Sequence, residues 1–202
     1  RFLSILDHEI GTHFLRSHNQ KTIQSKVLPK PRRGWLLATE EGLAAINTHK
    51  CYPDKRLWRP ALNFFAAHLA AEHTWPELWS RVSEYCDDPE LCWTVCVKVK
   101  RGVKDTGAPA VRMFDQVGEP QAGFCKDMCY FVGAVDLLRV RRDIDWRKLH
   151  ACKVSLEEFP GMLKHINASR ENVILPWFLR TEADLQNYEA EVEMLAKANG
   201  IL

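Results

Sequence analysis

Three residues near the start of the chain, His8, Glu9 and His13 in "LDHEIGTHFLRSHNQ", could together hold and use a metal ion. Hydrolysis of a peptide bond at zinc needs neutral imidazoles as ligands, a carboxylate to take a proton from the attacking water, and an open coordination position. His8 and His13 would supply the imidazoles and Glu9 the carboxylate. The familiar helical motif of this kind, H-E-x-x-H, sets its histidines four positions apart; here they are five apart. On a regular α-helix, residues five apart are turned by roughly 140° about the axis, against about 40° for four apart. The two imidazoles would then face different ways. A π-bulge restores a shared face, and such bulges recur at functional sites. The sequence therefore predicts a distorted helix around Ile10–Thr12, with Gly11 tolerating the irregular backbone.

A third ligand is needed, and "LLATEEGLAAI" offers Glu40 and Glu41. They follow Thr39, which reads as the N-cap of a helix. Paired glutamates in a first helical turn also have a plain electrostatic reason, because carboxylates favour that end of the macrodipole.

Taken together, "HEIGTHFLR" and "TEEGLA" resemble the microtubule-associated tyrosine carboxypeptidases, whose bacterial relatives carry Q-E-G-L-A. H-E-x-x-x-H combined with E-E-G-L-A is specific where neither half is. Dipeptidyl peptidase III is similar in logic, with a six-residue His motif and a downstream Glu. The resemblance is firm over about residues 1–48 and looser over "VKRGVKDTGAPA", "GFCKDMCYFVGAVDLLR" and "LHACKVSLEEFP". It implies a zincin-like catalytic helical domain with long loops. His8, His13 and Glu41 would bind Zn²⁺, Glu9 would be the general base, and Glu40 would stand behind the ligands. It further implies a cytoplasmic, microtubule-associated enzyme that removes a C-terminal tyrosine from the acidic tail of α-tubulin. The loop between His13 and Glu41 is shorter, and differently composed, than in the animal enzymes. Two other readings stay open: a zinc exopeptidase acting on other peptides, and a non-catalytic microtubule-binding module.

The elements that must position these residues read as mainly α. Apolar residues recur at helical spacing over 1–18, 58–74, 76–86, 89–101, 125–142, 155–167 and 181–198. Pro76 and Thr181 mark helix starts and Gly200 a stop. "CWTVCVKVKRG" is ambiguous, since Val95, Val97 and Val99 also alternate. Long connections are expected over 20–38, 104–124 and 168–180. The 202 residues are long enough for one substantial core. They are read as one metallopeptidase-domain fragment, with the metal motifs in 1–48 and a helical remainder in 49–202. The chain opens inside a helix without an initiating Met, so it is expected to be the C-terminal portion of a larger catalytic domain. Seven cysteines without a disulfide-like framework point to reduced thiols. Those at 92/96 and 125/129 are expected to be buried as small apolar residues. No apolar run is long enough to span a membrane.

The formal net charge is only +2, yet 10–39 contains no Asp or Glu while holding Arg16, Lys21, Lys26, Lys30, Arg32 and Arg33. Beside a metal site, that run suits steering of an acidic chain. A second cluster comprises Lys98, Lys100, Arg101 and Lys104. A third, Arg139, Arg141 and Arg142, reads as a solvated face. Nucleic acid fits less well, because no binding module accompanies the charges. A carboxypeptidase needs a cation for the terminal carboxylate; Arg101 is the first choice and Lys126 the second. Tyr130 could donate to the oxyanion that develops on the scissile carbonyl, or could be a half-buried helix aromatic. Finally, "HLAAEH" repeats the spacing of the metal motif with His68, Glu72 and His73. Its Glu adjoins the second histidine and its surroundings are Ala-rich, so it reads as a structural or surface feature.

Overall fold

In a computed structural model of the chain, residues 2–23, 33–101, 123–163, 166 and 172–202 are described, and among them there is no strand. The protein is mainly α. Helix α1 (Phe2–His8) runs into a six-residue π-helix (Glu9–Phe14) and on into α2 (Leu15–Ile23). Then follow α3 (Arg33–His49), α4 (Trp58–Ala70), α5 (Trp75–Ser83) and α6 (Pro89–Lys100). The chain continues with α7 (Met128–Arg139), α8 (Trp146–Ala151), α9 (Phe159–Met162), a 3₁₀ turn (Trp177–Leu179) and α10 (Glu182–Ala198).

Two compact units emerge, one from residues 1–57 with 129–202 and the other from 58–128. The first is built around α3, whose inner face carries Leu43 and Ile46 into a core with Leu137, Trp146, Leu149 and Tyr188. Fully burying each such apolar side chain stabilises the fold by roughly 1.5–3 kcal/mol. Helices α3 and α7 meet backbone to backbone: a Cβ on Gly42 would lie 2.2 Å from the Gly133 carbonyl carbon, and one on Gly133 1.8 Å from the Ala38 oxygen. Glycine at both positions is therefore a requirement of space. Helix α10 begins with a reciprocal cap, in which Thr181 Oγ1 accepts from Asp184 N–H and Asp184 accepts from Thr181 N–H.

The second unit packs α4, α5 and α6 around Leu62, Ala66, Leu78, Val82, Val95 and Cys96. Pro76 and Pro89 sit in first turns, where a missing N–H costs nothing, and Asp88 caps α6 by accepting from the Glu90 and Leu91 amides. The ambiguous Val95–Val99 run is helix, with Val95 and Val99 inside and Val97 outside.

Several sequence expectations change. Thr39 is not an N-cap: α3 starts at Arg33, and Thr39 lies inside it, its hydroxyl accepting from the Leu156 amide at 2.8 Å. Among the described residues of the helix expected over 155–167, only Phe159–Met162 is α-helix, and a further helix, α8, stands at Trp146–Ala151. Cys92 and Cys96 are buried as expected, but Cys125 is exposed in the turn before α7 and Cys129 half-buried; all seven thiols are free. No described helix is long and apolar enough to cross a membrane.

Candidate metal centre

The irregular stretch foreseen around Ile10–Thr12 is the π-helix Glu9–Phe14. Leu15 N–H reaches back five residues to the Ile10 carbonyl, and the Thr12 hydroxyl donates to the Asp7 carbonyl at 2.9 Å, also five residues back. Thr12 is one end of a fully paired buried network. Asn47 Nδ2 donates to Thr12 Oγ1 (2.8 Å) and His150 Nε2 (3.0 Å), and Asn47 Oδ1 accepts from the Tyr188 hydroxyl (2.8 Å). His150 Nδ1 donates in turn to the Trp146 carbonyl. Burial pushes His150 down to about 3, so it stays neutral and can accept from Asn47. Gly11 serves space rather than backbone freedom. Only Gly200 has a positive φ among the described residues, whereas a Cβ on Gly11 would press on Phe178 at 2.9 Å.

With this register, the His8 and His13 rings share a face, their centroids 5.0 Å apart and their planes at 74°. From α3, Glu41 joins them. One ligand atom from each of His8, His13 and Glu41 lies within 4.8 Å of the others, the only such His/Cys/Asp/Glu group among the described residues. His13 Nε2 and Glu41 Oε2 are 3.4 Å apart, about the separation of two ligands around tetrahedral zinc with bonds near ~2.1 Å.

Each imidazole is oriented from behind. The Thr48 hydroxyl gives its proton to the Ala44 carbonyl (2.9 Å), so it accepts from His8 Nδ1–H (3.0 Å) and leaves Nε2 as the lone-pair nitrogen. His13 Nδ1 donates to Glu40 Oε1 at 3.0 Å, which likewise turns Nε2 toward Glu41. A carboxylate behind a ligating histidine fixes its tautomer and raises its basicity. Glu40 is held by Arg16, which is fully buried and also donates to the carbonyls of Leu149, Cys152 and Val154 at 3.0–3.1 Å. Lys153 Nζ lies 3.3 Å from Glu40 Oε1.

The electrostatics suit a cation. Burial opposes charge on Glu40, but Arg16 outweighs it, with His13 and Lys153 adding, and holds Glu40 at about 2. Burial likewise lowers His13, yet its hydrogen bonds to Glu40 and Glu41 and their charges raise it to about 9. His8 is pushed down by burial and by His13. Glu41, although burial opposes its charge, is lowered by His13 and by a bond from Tyr130. Most telling for the fit, Glu41 Oε2 is buried with nothing closer than a long 3.4 Å contact to the His13 ring nitrogen. A buried carboxylate oxygen facing two imidazole lone pairs is a donor set for a divalent ion such as zinc.

Glu9 extends from the same segment with its side chain 63% exposed and 3.9 Å from His8 Nε2. It lines a cavity of about 400 Å³ with His13, Leu36, Leu37, Glu40, Glu41 and Lys153. Tyr130, on the first turn of α7, stacks against His8 with ring centroids 6.4 Å apart. Arg101 and Lys126 are exposed in the other unit, Arg101 with its guanidinium 4.0 Å over the Phe124 ring. Lys30 and Arg32 lie outside the described residues, as do Lys26 and Lys104; Arg33 begins α3. Arg16, read from sequence as part of a steering run, is instead the interior clamp on Glu40. In the third basic cluster, only part is solvated: Arg141 is 7% exposed and bonds Glu193.

Thr12, Asn47, His150 and Lys153 went unnoticed in the sequence. Asn47 and His150 are polar residues at apolar-periodic positions of their helices, and that conflict was the available signal.

No family model matches the chain. It is similar to microtubule-associated tyrosine carboxypeptidase 1 of Homo sapiens, 32% identical over 199 residues, covering 96% of this chain and 39% of that protein. The same protein of Rattus norvegicus is 31% identical with the same coverage. MATCAP2 of Mus musculus is 32% identical over 206 residues, covering 96% of this chain and 35% of the relative. The chain thus spans little more than a third of the length of the curated relatives it matches. With near-complete alignment of its own residues to several such relatives, the chain belongs to the microtubule-associated tyrosine carboxypeptidase family.

Proposed function

We propose that the chain carries the metal centre of a zinc carboxypeptidase that removes a C-terminal tyrosine from an acidic protein tail such as that of α-tubulin. The observation that carries this reading is the convergence of His8, His13 and Glu41 beside the solvent-facing Glu9. Zinc bound there would supply a Lewis acid for the scissile carbonyl and an acidified water. His8, His13 and Glu41 would hold the ion, with Thr48 and Glu40 fixing the two imidazoles. Glu9 would accept the proton of the attacking water and deliver it to the leaving amine. Tyr130 would donate to the oxyanion that develops on the carbonyl, its contact with Glu41 keeping it beside the ligands.

For the acidic substrate, Lys30, Arg32 and Arg33 would provide long-range attraction. Residues 1–202 would belong to one metallopeptidase domain acting on cytoplasmic microtubules. Glu9→Gln tests the reading: the zinc-loaded variant should lose about 10²–10⁴-fold in turnover of an acidic peptide ending in Tyr, because the amide cannot take up a proton. Retained turnover would remove Glu9 from this role. A wild-type protein that binds microtubules without releasing tyrosine would be a non-catalytic binding module. Release of tyrosine from short peptides but not from tubulin would mark a different exopeptidase.

A further inference from the structure

We propose that Lys153 anchors the C-terminal carboxylate of the peptide, an inference that rests on the carboxypeptidase reading above. Such an enzyme must hold a carboxylate one residue beyond the scissile bond, about 3.8 Å further along the chain. The cavity beside His13 and Glu41 has Glu9, Glu40, Glu41 and His13 on its polar wall, and Lys153 is its one Lys or Arg among the described residues.

Lys153 is not needed to balance the charge of Glu40. Glu40 is already matched by Arg16, which is fully buried and is also tied to the Leu149, Cys152 and Val154 carbonyls. Arg16 cannot turn toward a ligand. Lys153 adds a second positive charge to the same carboxylate; its side chain is 29% exposed and lines the cavity. An ammonium has three donors, and the contact at 3.3 Å to Glu40 uses one.

The backbone holds that ammonium where it is needed. Arg16 grips the carbonyls on either side of Lys153, and the Lys153 N–H donates to Gln20 Oε1 at 2.9 Å. Position 153 is thereby fixed to α2, the direct continuation of the metal-binding helix. Lys153 Nζ reaches Glu40 Oε1, which receives His13 Nδ1 at 3.0 Å, so a single imidazole stands between the ammonium and the metal-facing Nε2. Leu36 and Leu37 give the same cavity an apolar wall for the terminal side chain.

The test compares two acidic peptides ending in Tyr, one a free acid and one a C-terminal amide, on the zinc-loaded full chain carrying Glu9→Gln. A charge-assisted anchor should favour the acid by about 10–100-fold in Kd. Adding Lys153→Met should bring that ratio close to one while amide affinity and zinc affinity stay as they were, and Lys153→Arg should restore part of it. A preference that survives Lys153→Met would overturn the assignment, as would no preference in the parent. Equal losses for acid and amide, or a loss of zinc, would also overturn it, by making Lys153 only a support for Glu40. Tyrosine release by the wild-type chain is scored separately. Its absence removes the carboxypeptidase reading itself, whereas its presence with an unchanged acid preference in Lys153→Met removes Lys153 alone.

Discussion

His8/His13 and His68/His73 share one histidine spacing, with opposite results. His8 and His13 flank a π-helix and converge with Glu41. His68 and His73 have the same separation, but α4 is a regular helix that ends at Ala70, before the second histidine is reached. His73 then folds back, its Nδ1 3.0 Å from the Leu69 carbonyl, while His68 and Glu72 are exposed. What differs is the set of partners around the backbone. The first stretch has a hydroxyl bonded five residues back, a buried amide holding that hydroxyl, and a bulky ring filling the space beside Gly11. The second has alanines packed into a helical core. A metal motif is thus a spacing together with a register enforced from outside.

The most direct way to break this comparison is to remove one histidine from each copy. His13→Ala should reduce bound zinc from stoichiometric to trace, a larger effect than the ~10–100-fold that loss of an outer partner costs. His73→Ala should leave zinc content unchanged. Metal analysis of the two purified variants decides; equal zinc in both would refute the centre described above.

The sequence revealed the site better than its scaffold. The meeting of His8 and His13 was legible because the extra residue between them itself implied a π register, while the choice of Glu41 over Glu40 came from the family resemblance. The helical class was legible from periodicity. Thr39 misled because a capping residue before two glutamates reads as a helix start, whereas its hydroxyl serves a tertiary contact to Leu156. Arg16 misled for a related reason. Charge runs are counted along the chain, but burial is decided across it, and its partners at 149–154 are over a hundred residues away. The bonds of Asn47 to Thr12 and Tyr188 are long-range in the same way.

Asn47 gives a finer comparison. Asn47→Leu would leave Thr12, His150 and Tyr188 short of partners and should cost roughly 2–4 kcal/mol of stability. It should also weaken zinc binding about 10–100-fold, because the π register is released. Leu78→Ala, in the core of the other unit, should destabilise by a similar ~2–5 kcal/mol without touching zinc affinity. Denaturant titration and chelator competition measure the two quantities separately. If both variants change zinc affinity equally for equal loss of stability, Asn47 is only a core residue.

The smallest expected effect concerns protons at the empty-handed end of the same pair, with metal chelated. His13 is raised to about 9 by Glu40 and Glu41 against an ordinary value of 6.5. The folded chain therefore keeps a proton that the unfolded chain releases, and the associated stability is complete below pH 6.5 and lost as pH rises through 9. The slope is at most about 1.4 kcal/mol per pH unit, which for a chain of this size lowers Tm by roughly 2–5 °C per unit. Glu40, held at about 2, behaves in the opposite sense: its contribution is complete above its ordinary 4.5 and lost as pH falls toward 2. Glu40→Gln should lower Tm overall, since Arg16 loses its counter-charge, and should also flatten the slope between pH 6.5 and 9. With zinc present the slope should reverse, because the ion replaces the proton on His13 and binds more tightly as pH rises. Thermal scans at pH 6.5, 7.5 and 9 with chelator or with zinc test both signs. A chelated wild type whose Tm runs parallel to that of Glu40→Gln across this range would show that Glu40 does not hold the His13 proton.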